Sequence, residues 1–99
     1  MVPTHMAPEL LLMNSNRLFC QESDVYSYAI VMYEVLSRKA AFEGLNESQI
    51  TAQINAKQRP SPIPTDSPPE LIELMEDCWA HDAAMRPKFK QVLETISDL

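Results

Sequence analysis

The segment DVYSYAIVMYEVLS, residues 24–37, constrains this chain more than any other part of it. Val25, Tyr28, Met32, Val35 and Leu36 recur at steps of three and four, which is the period of a helix face. Ala29, Ile30 and Val31 fill much of the remaining circumference. A helix apolar on most faces is normally buried on most faces, so this one is expected at the centre of the fold, with Ser23 as its N-cap. Any side of it left without a neighbour would be adhesive and would act as an interface.

The rest of the chain reads as shorter helices around that one. Residues 1–20 read as a loop with one short helical turn at Pro8–Leu12, where proline suits the first helical position. A second helix is expected from Glu47 to about Ala56, capped by Asn46 with Gln49 at the capping-box position, and Ile50 and Ile54 mark its inner side. Pro60, Pro62 and Pro64 make Lys57–Asp66 an extended connector, because proline blocks both helix and central strand. Ser67-Pro68-Pro69-Glu70 is a helix start signal. The helix after it carries Leu71, Leu74, Met75 and Cys78 inward and is closed by Trp79, with Glu70, Glu73, Glu76 and Asp77 on the solvated edge. A last helix begins near Pro87 and places Phe89, Val92, Leu93 and Ile96 on one face. No stretch alternates with the period of a strand. The predicted class is all-α, with about four main helices and a short one.

Composition removes several functions. With 14 acidic against 8 basic residues the net charge is −6, and a nucleic-acid partner would require a basic face. No apolar run approaches the ~20 residues of a membrane span, so no membrane contact is expected and the default location is the cytosol, with the nucleus as the alternative. Cys20 and Cys78 have no ligand-spaced partners and read as reduced structural thiols. No metal site is expected. One glycine, Gly44, stands against eight prolines, which excludes a glycine-rich phosphate loop.

Three local sequences, in order, resemble one family. Met6-Ala7-Pro8-Glu9 is similar to the motif that ends a protein-kinase activation segment. Ser23-Asp24-Val25-Tyr26-Ser27-Tyr28-Ala29-Ile30 resembles the start of the large central helix of the kinase C-lobe. Cys78-Trp79 followed by Arg86-Pro87-Lys88-Phe89 resembles the Trp and Arg-Pro signature near the end of tyrosine kinases and tyrosine-kinase-like Ser/Thr kinases. The resemblance covers residues 1–99 as a partial kinase domain, from the end of the activation segment to the last C-lobe helix. It leans to the Ser/Thr group through Ala-Pro-Glu-Leu-Leu.

The resemblance implies roles for particular residues. Glu9 is expected to pair with Arg86 in a closed ion pair, and Asp24 to anchor the catalytic loop of an intact parent. Asp24 also has the plainer reading of an acid in a helix's first turn, favourable to the helix dipole. Pro3, Thr4, His5 and Met6 are expected in the substrate-side loop, and Trp79 in the core. His5 departs from the Trp or Tyr usual at its place, and the Gly-Thr usual earlier would fall on Met1 and Val2.

Phosphoryl transfer in this family uses a Gly-rich loop, a strand lysine, a catalytic-loop Asp and Asn, and a metal-binding Asp-Phe-Gly. The sequence contains no HRD, DFG or GxGxxG. The expectation is therefore a non-catalytic piece with no cofactor of its own, ATP and Mg belonging to a full-length parent. Its partners would be protein substrates, regulators or the missing kinase segments, with self-association through the central helix a further possibility. The alternative reading is a stand-alone, kinase-derived interaction module.

Overall fold

The computed structural model describes residues 3–9, 21–64 and 66–98. Four helices carry the architecture: α1 (Gln21–Ser37), α2 (Glu47–Asn55), α3 (Pro69–Cys78) and α4 (Phe89–Ser97). Among the described residues there are also two 3-10 turns, Pro3–His5 and Ala83–Met85, and helical Pro8 and Glu9, and no strand occurs among them. Helix α1 is the hub. It packs against α3 and both 3-10 turns, α2 meets the Pro3–His5 turn, and α4 is carried on α3.

The core forms where the apolar faces of these elements converge. Val25, Tyr26, Ala29, Ile30 and Tyr33 of α1 are buried together with Ile50 and Ile54 of α2, Leu74, Met75 and Cys78 of α3, Trp79, and Val92 of α4. Trp79 ends α3 with its ring 6.1 Å from that of Tyr33. Cys78 is a free, buried thiol, and burial followed by the nearby Asp77 charge pushes its pKa up to about 11. Cys20 and most of the expected Pro8–Leu12 turn lie outside the described residues, although Pro8 and Glu9 are helical.

Two helix starts differ from the sequence expectation. Helix α1 begins at Gln21, so Ser23 stands inside its first turn. The Ser23 hydroxyl donates to Glu9 Oε2 at 2.7 Å. A tertiary partner has taken the group that the local pattern assigned to capping. Helix α3 has Pro68 as N-cap with no side-chain cap, which leaves Ser67 outside. Prolines at the cap and first position lack the N–H groups that a capping hydroxyl would otherwise serve. By contrast, Asn46 Oδ1 accepts from Gln49 N–H at 2.9 Å while Gln49 Oε1 accepts from Asn46 N–H at 3.0 Å, a reciprocal capping box on α2. Helix α4 starts just past Pro87, with the Lys88 N–H donating to Gln91 Oε1 at 2.9 Å.

The scarcity of glycine shows at the helix ends. Helix α2 closes with the Lys57 N–H on the Ile54 carbonyl and the Gln58 N–H on the Gln53 carbonyl, the paired bonds of a Schellman ending. That ending needs a left-handed residue, and Lys57 takes it with φ 64°. Arg38 does the same after α1, with φ 59°. Gly44 has φ 86° in the turn that follows.

The central helix also departs from the expectation of burial on most faces. Tyr28, Val31 and Val35 are 37%, 46% and 70% exposed. On α4, Leu93 is 63% exposed, so it does not share the inner face with buried Val92. The described elements cover α1 from one side only, and the apolar residues of the other side face solvent.

Candidate functional site

Among the described residues the most strongly connected polar group is Arg86, in the segment between the Ala83–Met85 turn and α4. Its side chain is fully buried. A buried guanidinium must satisfy five N–H donors or carry a heavy desolvation cost. Nε donates to the Ala80 carbonyl at 2.8 Å, and Nη1 donates to Glu9 Oε2 at 2.8 Å and the Glu22 carbonyl at 2.9 Å. Nη2 donates to Glu9 Oε1 at 2.9 Å and the His81 carbonyl at 3.3 Å. The pairing with Glu9 is the two-point form in which guanidinium and carboxylate match best. Lysine, a point charge with three donors, cannot reproduce it.

Glu9 is held by more than the arginine. Burial raises its pKa, but the hydrogen bonds from Arg86 and Ser23, with the Arg86 charge behind them, outweigh that cost and leave it below its ordinary value of 4.5. Tyr26 lies under the cluster, with the Arg86 guanidinium 5.0 Å and the Arg59 guanidinium 5.2 Å from its ring centre. Arg59 comes from the proline-punctuated connector, where it donates from Nε to the Trp79 carbonyl at 2.9 Å and from Nη1 to the Gln58 carbonyl at 2.8 Å. Burial lowers the Arg59 pKa and raises that of Tyr26. The Tyr26 hydroxyl is buried with no hydrogen-bond partner among the described residues.

The Pro3–Met6 stretch is tied down separately. His5 Nε2 lies 2.8 Å from Glu34 Oε1, and Thr4 Oγ1 lies 2.7 Å from His5 Nδ1. With the proton on Nε2, the ring donates to Glu34 and accepts from Thr4. The other Glu34 oxygen accepts from the Ala41 N–H at 2.8 Å, and the Ser27 hydroxyl donates to the His5 carbonyl. His5, expected in the substrate-side loop, is half-buried in a 3-10 turn and hydrogen-bonded along its length.

The remaining candidates fall elsewhere. Met6 is half-buried between the two networks. Asp24 sits exposed in the first turn of α1 and has no partner among the described residues. Trp79 is 6% exposed, and its carbonyl receives Arg59. The sequence reading gave Ser23 only a capping role and passed over Arg59 and Glu34. Arg59 carried the one usable signal, a lone cation beside prolines that fix the connector's path. Among the described residues no cluster of His, Cys, Asp or Glu could hold a metal ion. No helix among them is long and apolar enough to cross a membrane.

Chemically, this arrangement fastens one segment to others. It locks Glu9, and with it the Pro3–Met6 stretch, onto α1 and onto the approach to α4. The sequence profile of the family described as protein tyrosine and serine/threonine kinase matches residues 1–96. The chain belongs to that kinase family. It is 34% identical over 99 residues to the dual specificity protein kinase shkD of Dictyostelium discoideum, covering 98% of this chain and 13% of that kinase. It is 34% identical over 94 residues to the serine/threonine-protein kinase STY17 of Arabidopsis thaliana, covering 95% of this chain and 16% of that kinase. The dual specificity protein kinase shkA of Dictyostelium discoideum is 35% identical over 98 residues, with 98% and 18% covered. The chain thus spans under a fifth of the length of these kinases. Its four helices and lack of described strands agree with the helical C-terminal part of a kinase domain.

Proposed function

We propose that this chain is the substrate-side helical part of a protein kinase that phosphorylates Ser/Thr on proteins, and that it does not catalyse transfer by itself. The observation that carries the reading is the buried Arg86, whose donors hold Glu9 from two directions while Glu34 and Ser27 hold His5. A segment that receives a protein substrate must be rigid, because misplacement of the reacting groups by about 1 Å can cost on the order of a hundredfold in rate. Two networks that fix one short stretch serve that end. In the intact parent, ATP and Mg would be bound by segments that this sequence lacks, and Asp24 would brace the catalytic loop. Ser/Thr specificity draws support from the relatives named for it, and the cytosol or nucleus remains the proposed location.

The second reading, a binding module without catalysis, is favoured by the completeness of the clamp. Every Arg86 donor is satisfied within these residues. Both readings are tested by immunoprecipitating the product from its source cells with an antibody to residues 57–70 and supplying labelled ATP and a mixed protein substrate. The purified 99-residue chain is assayed in parallel. Label on serine or threonine from the cellular product, with none from the purified chain, is the expected result. Label on tyrosine alone would overturn the specificity, and transfer by the purified chain would overturn the assignment as non-catalytic. A cellular product no larger than this chain and without activity would establish the module.

A further inference from the structure

A groove of about 700 Å³ opens between the loop that joins α1 to α2 and the connector at residues 59–62. Its size falls within the range of specific ligand sites, roughly 300–1,000 Å³. The floor is aromatic: Tyr33 and Phe42 line it and are 3% and 9% exposed. Phe42 holds a left-handed backbone with φ 55°, a conformation that is strained for a bulky side chain and persists only where the surroundings fix it. The walls are tied down as well. The Tyr33 hydroxyl donates to the Pro62 carbonyl at 3.3 Å, and the Leu45 N–H donates to the Phe42 carbonyl at 3.2 Å. Arg59 is fastened to the Trp79 and Gln58 carbonyls. The groove is therefore preformed, with floor and walls all supplied by this chain. The open side of α1 takes no part in it, since Tyr28, Val31 and Val35 lie outside its lining.

Charge decides what such a groove can hold. Two bases, Lys39 and Arg59, line it against one acid, Glu43. That is a local positive excess on a chain whose net charge is −6. Neither base meets a carboxylate among the described residues, because Arg59 gives its hydrogen bonds to carbonyls. We propose that this groove binds an acidic peptide segment of another protein, with an Asp or Glu side chain pairing with Lys39 and Arg59 and a neighbouring apolar side chain resting over Tyr33 and Phe42. An open groove with an aromatic floor and a cationic rim suits an extended chain, whose successive side chains point alternately down and outward. A basic segment would meet Lys39 and Arg59 as like charges and be rejected. The inference goes beyond the kinase reading and does not rest on it.

The probe is a degenerate peptide library passed over the immobilised 99-residue chain. Peptides with Asp or Glu close to an apolar residue should be enriched in the retained fraction. A synthetic peptide with the enriched pattern, titrated into nitrogen-15-labelled chain, should shift the amides of residues 39–45 and 59–62 and leave those of Tyr28, Val31 and Val35 unmoved. Lys39→Glu should weaken that peptide by about tenfold or more, and Glu43→Lys should tighten it. Both side chains are exposed, so neither change disturbs packing, and unchanged helical circular dichroism checks this. No enrichment, or enrichment of Lys and Arg, would overturn the inference. Binding indifferent to both charge reversals, or shifts confined to the open side of α1, would overturn it equally. Groove amides that move on dilution of the chain alone would assign the groove to a second copy and overturn it too. None of these failures touches the kinase reading, which is tested by transfer of label from ATP.

Discussion

The two sides of α1 are built from similar residues and meet different fates. On one side, Tyr26, Ala29 and Ile30 are fully buried, and the clamp of Arg86 closes over Tyr26. On the other, Tyr28, Val31 and Val35 remain in solvent. Side-chain chemistry does not separate them, since valine and tyrosine occur on both. What separates them is whether another element arrives. The apolar faces of α2 and α3 bring Ile54 and Met75 to one side only. The lesson is that apolar character shows which residues can be buried, whereas the partners present decide which are.

The sharpest way to break the comparison is to remove Arg86. Arg86→Ala should cost roughly 3–5 kcal/mol of stability, because it strands the Glu9 carboxylate and several backbone carbonyls. Glu9→Ala should approach that cost. The double variant should fall well short of the sum, since each single change already dismantles the same network. Urea denaturation followed by circular dichroism measures all three. Additive energies would mean that the pair is not coupled.

Core packing comes next. Ile30→Ala should cost about 2–5 kcal/mol through lost burial and a residual cavity. Val35→Ala, one turn and a half away on the open side, should change monomer stability by no more than about 0.5 kcal/mol. Equal effects in the same urea assay would erase the distinction between the two sides.

Acid should act on the clamped side. The folded pKa of Glu9 lies below its ordinary value of 4.5. Its contribution is therefore fully present above that value and is lost as pH falls through the lower folded one. Urea midpoints recorded against pH should fall below about pH 4.5 in the parent, and Glu9→Gln should flatten that limb while lowering stability at neutral pH. The smallest effect is expected at the end of α2. Lys57→Gly should raise stability by about 0.5–1 kcal/mol by relieving a left-handed lysine, a gain visible as a higher thermal midpoint.

Much of the architecture was open to sequence reading for local reasons. Helical periodicity marked α1 and α2, and the Asn46–Gln49 capping box needs only neighbouring residues, so pattern and geometry coincide there. Motif order pointed to Glu9 and Arg86 as a pair through resemblance, without any measure of how they sit. Ser23 shows the limit. Its local context offers a helix cap, but a carboxylate fourteen residues earlier in the chain takes its hydroxyl. Arg59 and Glu34 are likewise defined by partners distant in sequence.

The sequence by itself determined where helices form, how they are punctuated by eight prolines and one glycine, and which family the chain resembles, because these depend on residues close together along the chain. Tertiary structure alone decided that Arg86 spends every donor, that His5 is braced by Glu34, and that one apolar side of α1 stays open. Each depends on chain distant in sequence arriving, or failing to arrive, within hydrogen-bonding or van der Waals reach, and no local pattern encodes that distance.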